Sequence, residues 1–266
     1  MAPVPTWITD LRKRRREKLL GGEILFLDSM PSTNRRAREE ALRGVPEGTA
    51  VIADSQTRGR GRMGRPWSSP PGVNLYLSIV LRPPLPPERV PQITLLAGVS
   101  CARAVRRVTG LDARLKWPND IFIRGRKTAG ILAEMEGGQP RVNFVILGVG
   151  INVNWEAEKM PADLRETATS LRTEGGREFD RAALAGEALA ELEKDYALFR
   201  EEGFSEMMRE EWSRLSLGIG ERATLAFPGH EVVGEIRGLD RDGALLFTDA
   251  EGNTRRFTAG DVSLRF

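Results

Sequence analysis

Lys116-Trp117-Pro118-Asn119-Asp120-Ile121-Phe122-Ile123-Arg124-Gly125-Arg126-Lys127-Thr128-Ala129-Gly130-Ile131-Leu132 alternates apolar runs with turn residues. Pro118 fixes the entry to a strand from Ile121 to Arg124, Arg124-Gly125 reads as a hairpin turn, and the chain then resumes as a second apolar run. Gly137-Gly138 marks the next turn, so Ala113 to Gly150 reads as short strands in an antiparallel meander rather than as βαβ units. The fold class that follows is α/β (α+β), a mixed or antiparallel sheet with flanking helices.

The flanking sequence supplies those helices. Upstream, Ile24 to Leu27 and Thr49 to Asp54 read as strands, with a helix capped by Ser32 or Thr33 running through Leu42 between them. A Gly/Arg/Pro-rich stretch from Gln56 to Gly72 precedes a strand from Val73 to Leu81. Val90, Ile93, Ala97, Cys101, Ala104 and Val108 recur three or four apart, the period of a helix with one buried stripe, and Cys101 on that stripe reads as a packing residue. Ala185, Leu189, Leu192, Tyr196 and Phe199 mark a second amphipathic helix, expected to cover the sheet. After Gly218 short strands at Ala223 to Phe227, Val232 to Ile236, Ala244 to Phe247, Thr254 to Phe257 and Val262 to Phe266 suggest a small β-barrel-like module. The basic run from Arg12 to Lys18 reads as one helix from Ile8 to Leu20 with a solvated face; a nucleic-acid arm is the alternative. The expected division is 1–22 as an N-terminal basic helix, 23–217 as the main domain and 218–266 as the terminal module.

Composition narrows the chemistry. The chain of 266 residues has one Cys and one His, which excludes an intramolecular disulfide, a zinc cluster and a His-dependent triad unless His230 serves. A net charge of +3 gives weak support for nucleic-acid binding, and no DNA partner is expected. No stretch is apolar enough to span a membrane, and Met1 to Gly22 has no signal-like apolar core, so a cytoplasmic protein without a membrane partner is expected.

The most unusual segment is Gln56-Thr57-Arg58-Gly59-Arg60-Gly61-Arg62-Met63-Gly64-Arg65-Pro66-Trp67. It formally contains G-x-G-x-x-G, but Pro66, Pro70 and Pro71 prevent the helix that a dinucleotide fingerprint needs, and no Walker A sequence occurs. A flexible loop remains, whose guanidinium groups fold over an anion; an RGG-like RNA segment and a solvated structural loop are the rivals. Lys116 to Asp120 places an amide and a carboxylate at a strand start, or forms an Asn-Asp turn. Gly130 after Lys127, and Gly148-Val149-Gly150-Ile151-Asn152, put glycine in otherwise buried strands, where a ligand can approach the backbone.

Taken in order, Ser32-Thr33-Asn34, Gly59-Arg60-Gly61-Arg62, Lys116 to Asp120, Lys127 with Ala129 to Leu132, and Gly148 to Asn152 resemble the biotin protein ligase family. The resemblance spans roughly Glu23 to Leu171, and the terminal module also fits. It implies an SH2-like catalytic domain followed by an SH3-like β-barrel, and the short N-terminus is similar to the monofunctional class without a DNA-binding domain. The implied reaction is attack of the biotin carboxylate on ATP, with Mg2+, to give biotinyl-5′-AMP, followed by transfer to a lysine of a biotin carboxyl carrier protein. No covalent enzyme intermediate is needed. By resemblance Lys127, Arg60 and Arg62 are catalytic. Ser32, Thr33, Asn34, Gln56, Gly59, Arg60, Lys127, Gly130 and Gly150 bind biotin, while Arg62, Trp67, Asn119, Lys127 and Asn152 bind ATP, with Trp67 stacking on adenine. Asp120 is the magnesium candidate. A monomer or homodimer is expected. A lipoate or octanoate ligase shares the general fold but is not expected to combine Lys-Trp-Pro-Asn-Asp with Gly-Arg-Gly-Arg. A nucleic-acid-binding regulator is the rival from another class, and salt-dependent DNA retention discriminates it.

Overall fold

A computed structural model describes residues 4–227, 230–258 and 260–264. Seven strands form one sheet: β1 (Ile24–Met30), β2 (Ala50–Gln56), β3 (Leu75–Leu81), β4 (Arg114–Lys116), β5 (Asp120–Ile123), β6 (Arg126–Gly138) and β7 (Arg141–Ile151). Their order is β1-β2-β3-β7-β6-β5-β4. Only β1 and β2 are parallel, so the sheet is mixed, and the expected meander from β4 to β7 is present. Two of its strands are long rather than short, because β6 and β7 stay paired from Ala129↔Ile151 to Gly138↔Arg141.

Strand alternation divides the core. Ala50 and Ile52 of β2 join the main cluster, while Val51 and Ala53 join a smaller one on the opposite face. Helix α1 (Thr6–Arg15) packs in the main cluster; helix α2 (Thr33–Leu42) covers the smaller one with Ala37 and Ala41. Helix α3 (Val90–Thr109) lies on the main face, and Cys101 is fully buried on its apolar stripe. Burial, with the Asp195 carboxylate adding, pushes the Cys101 thiol up to about 12, as suits a packing residue rather than a nucleophile. The short helices α4 (Ala162–Arg165) and α5 (Leu171–Gly175) lead to α6 (Arg181–Glu202) and α7 (Glu206–Leu215). Helix α6 packs chiefly on α3 and α1 as a third layer, not directly on the sheet as its apolar stripe suggested.

The basic helix also ends earlier than its sequence indicates. Helix α1 stops at Arg15, and Glu17 takes φ 64, a left-handed conformation that a continuing helix does not allow. Arg15 is buried: its Nε and Nη2 donate to Leu20 O at 2.9 and 2.8 Å, and it ion-pairs with Glu193. Ile8, Leu11 and Leu20 join the main core, so this segment is part of the same packed body.

The remaining strands are β8 (Arg222–Phe227), β9 (His230–Leu239), β10 (Leu245–Asp249), β11 (Thr254–Phe257) and β12 (Asp261–Leu264). They form an antiparallel sheet in the order β11-β10-β9-β8-β12. The expected barrel is not closed among the described residues, since β11 and β12 end the order without pairing with each other. The last expected strand residues, Arg265 and Phe266, lie outside the described residues. Leu217 N, ahead of β8, donates to Leu115 O of β4 at 2.7 Å, and Gln92 Nε2 of α3 donates to Asp242 O, between β9 and β10, at 3.0 Å, which ties this part of the chain to the first sheet and α3. Among the described residues no helix is long and apolar enough to cross a membrane.

Candidate functional site

Along β6 and β7, Ala129, Ile131, Val149 and Ile151 belong to the main core. Alternation therefore leaves Gly130, Leu132, Gly148 and Gly150 on the other face, and the register sets Gly130 against Gly150 and Leu132 against Gly148. Helix α2 covers only part of this face. The rest is the floor of a cleft of about 360 Å³, which every site residue nominated from sequence borders except Gly59.

The Gly/Arg segment roofs the cleft. It is not an irregular loop but a small hairpin, in which Gly61 N donates to Arg65 O (2.8 Å), Trp67 N donates to Gly59 O (2.9 Å) and Arg60 bridges Pro66. Met63 turns it at φ 55. Gly59 permits this closure: a Cβ there would lie 2.3 Å from Trp67 O, so the hairpin itself requires glycine at this position. The two floor glycines also have a different neighbour from the one expected. A Cβ on Gly150 would lie 2.8 Å from Trp67 Cε2 and Nε1, and one on Gly130 would lie 3.2 Å from Trp67 Cζ3. The glycines thus seat the indole, and through it shape the space left for ligands. Trp67 Nε1 is buried there without a hydrogen-bond partner.

Lys127 stands beside that indole. Its backbone is held on both sides, N donating to Thr167 O and O accepting from Thr169 N, each at 2.9 Å. Its Nζ lies 2.6 Å from Asp120 Oδ1 and 5.5 Å from the Trp67 ring. The strand bulge between β5 and β6, at Ile121/Phe122, falls between these two charged residues. Arg62 reaches the same end: its Nη1 donates to Asn119 Oδ1 at 3.2 Å, and Asn119 Nδ2 donates to Ile131 O at 2.8 Å. Asn119 thereby ties the hairpin to β6. Asn152 is buried where it borders the cleft, with Nδ2 donating to Thr169 O (3.0 Å) and Oδ1 accepting from Asn74 (3.4 Å), so it braces the wall.

At the opposite end the side chains of Ser32, Thr33 and Gln56 are polar and uncharged. Gln56 Oε1 accepts from Thr33 N (2.8 Å) and Thr33 Oγ1 (3.1 Å), while its Nε2 donates to Ser69 Oγ (2.9 Å). Ser32 begins α2 without a side-chain capping bond. Asn34, expected as a biotin ligand, borders the cleft and is engaged by protein: Oδ1 accepts from Ser78 Oγ at 2.6 Å, and Nδ2 donates to Glu134 Oε2 at 2.8 Å. Ser78 and Glu134 escaped the sequence reading. Ser78 had one signal, a lone hydroxyl in the apolar run Leu75 to Leu81.

No group of three His, Cys, Asp or Glu side chains able to hold a metal occurs among the described residues. Asp120 is the only carboxylate at the charged end of the cleft that the sequence nominated, and it is already paired with Lys127. The nucleotide's own oxygens would supply most of the ligands of any magnesium ion there.

Residues 26–152 match the model of the Biotin/lipoate A/B protein ligase family, and residues 218–265 match that of the Biotin protein ligase C terminal domain. Over 256 residues the chain is 38% identical to the bifunctional ligase/repressor BirA of Bacillus spizizenii, covering 96% of this chain and 78% of that protein. It is 36% identical over 237 residues to the biotin--[acetyl-CoA-carboxylase] ligase of Mycobacterium tuberculosis, covering 87% of this chain and 85% of that one. The fold is similar to that of a biotin protein ligase from Aquifex aeolicus in complex with biotin and ATP, with a TM-score of 0.78 and 31% identity, covering 91% of this chain and 98% of that one.

Proposed function

The chain belongs to the biotin protein ligase family, and from that premise we propose how its cleft activates biotin with ATP and transfers it to a lysine of a biotin carboxyl carrier protein. The observation that carries the reading is the division of one cleft into a neutral end and a cationic end. Ser32, Thr33 and Gln56 offer hydroxyl and amide partners of the kind a ureido ring requires, since its N–H donors and carbonyl acceptor are uncharged. Lys127, Arg60 and Arg62 surround the other end, where a carboxylate and a phosphate chain meet.

In the first half-reaction a biotin carboxylate oxygen attacks the α-phosphorus of ATP. The bond from that phosphorus to the bridging oxygen breaks, and pyrophosphate leaves with the electron pair. No proton moves, so the enzyme's work is positioning and charge stabilisation. Lys127 Nζ, fixed by its braced backbone, neutralises the oxygens that gain charge; Arg60 and Arg62 hold the carboxylate and phosphate groups from the hairpin. Trp67 offers an indole face to the adenine. In the second half-reaction the acceptor lysine's neutral amine attacks the anhydride carbonyl, AMP leaves and the amine loses a proton. A magnesium ion, when bound to the nucleotide, adds neutralisation of the leaving pyrophosphate.

Pyrophosphate release measured with biotin, with lipoate and with neither tests the reading. Release only with biotin is expected; equal release with lipoate contradicts the assignment of the neutral end.

A further inference from the structure

A carboxylate stands beside Arg60, a cleft residue whose proposed ligand groups are anionic. Glu134 lies on β6 with its side chain 35% exposed, its Oε2 accepting from Asn34 Nδ2 at 2.8 Å and its Oε1 3.7 Å from Arg60 Nη2. Left alone, such a group repels the substrate acid. Its surroundings give it a different role.

Asn34 is braced on every side. Ser78 holds its Oδ1, Leu132 O accepts from its Nδ2 at 3.3 Å, and the amide lies so close over β7 that a Cβ on Gly148 would come within 2.1 Å of Oδ1. Glycine at 148 therefore makes room for an amide that aims Glu134. Arg60, by contrast, is 57% exposed on a hairpin, and a long exposed side chain loses rotamer entropy whenever a ligand fixes it. A rigidly mounted carboxylate beside it restricts that freedom before the ligand arrives.

We propose that Glu134 is a positioning residue: mounted by Ser78, Asn34 and Gly148, it holds Arg60 over the cleft mouth and so fastens the Gly59 to Trp67 hairpin over the bound adenylate. The proposal rests on the biotin-adenylation reading above. Asn34 acts through Glu134 rather than on biotin.

The test uses the full chain, with Glu134→Gln alone and in an Arg60→Gln background. Glutamine keeps an acceptor for Asn34 and removes only the charge. Three quantities are read: single-turnover pyrophosphate formation at saturating biotin and ATP, dissociation of biotinyl-5′-AMP in a chase, and the melting temperature. Expected for Glu134→Gln are adenylate formation within about twofold of the unmodified chain and dissociation faster by roughly three- to fivefold, the range of a partly exposed ion pair. The melting temperature should be unchanged, and no further acceleration should appear in the Arg60→Gln background. Equal acceleration in both backgrounds, no acceleration in either, or a lowered melting temperature accounting for the change overturns the proposal. Absence of biotin-dependent pyrophosphate release by the unmodified chain overturns the underlying reaction instead.

Discussion

Replacing Gly150 by Ala tests whether the floor glycines act by seating Trp67. The new methyl would stand 2.8 Å from Trp67 Cε2 and Nε1 and 3.0 Å from Cζ2, whereas ordinary contact begins near 3.4 Å. The indole must therefore withdraw by roughly 0.6 Å, an overpacking strain of ~1 to 3 kcal/mol. It cannot simply slide, because Trp67 N is held by Gly59 O at 2.9 Å and Trp67 O by Ser69 Oγ at 3.0 Å, so the hairpin moves with it. The strain falls on the ligand cleft, and biotin affinity should drop about tenfold to a hundredfold, with each tenfold worth ~1.4 kcal/mol. Gly130→Ala should cost less, since its nearest neighbours are Trp67 Cζ3 at 3.2 Å and the flexible Lys127 Cε at 3.5 Å. Calorimetric titration with biotin, alongside Trp emission of the free protein, reads both effects. Unchanged affinity in Gly150→Ala, or a larger loss in Gly130→Ala, refutes the reasoning.

Lys127→Ala should slow adenylate formation by roughly 10³-fold while moving the melting temperature little, because Lys127 and Asp120 are both partly exposed; near-normal single-turnover adenylation removes Lys127 from the mechanism. Trypsin should cut after Arg58, Arg60 or Arg62 in the ligand-free protein and far more slowly with biotin plus MgATP, with Arg65 spared by Pro66; mass spectrometry of the fragments decides, and equal rates at saturating ligand rule out closure over the substrates. Burial holds Cys101 up to about 12, so the thiol stays protonated and a maleimide at pH 8 should leave it unlabelled until urea unfolds the chain; stoichiometric labelling of the folded protein contradicts the packing.

The meander was legible because its signals are local: Pro118, Arg124-Gly125 and alternation fix strands without reference to the rest of the chain. Many of the nominated site residues are legible for the same reason, since Gln56, Asp120 and Asn152 lie at or next to strand ends and Arg60 and Arg62 flank Gly61. What spacing could not show was what each glycine makes room for. Gly130 and Gly150 accommodate the indole of Trp67, far earlier in the chain, and Gly148 an amide on α2. Such pairings come from the sheet order, which no local pattern encodes. Glu134 carries no sequence signal of its role, because a charged residue at a half-exposed strand position looks like ordinary solvent-facing alternation. Within its basic run Arg15 looks like one more solvated residue; its burial depends on Glu193 and the Leu20 carbonyl reaching it from α6 and the following turn.

One cleft should perform both half-reactions with no covalent enzyme intermediate. Enzyme-bound biotinyl-5′-AMP, formed in a single turnover and freed of ATP by rapid gel filtration, is mixed with a biotin carboxyl carrier protein, and AMP and biotinylated carrier are followed by quenched-flow chromatography and intact mass. AMP and biotinyl-lysine should appear together, at one rate and in equal amounts, with the enzyme's own mass unchanged. Biotin covalently attached to the enzyme before it reaches the carrier, or transfer that requires fresh ATP, would contradict the account.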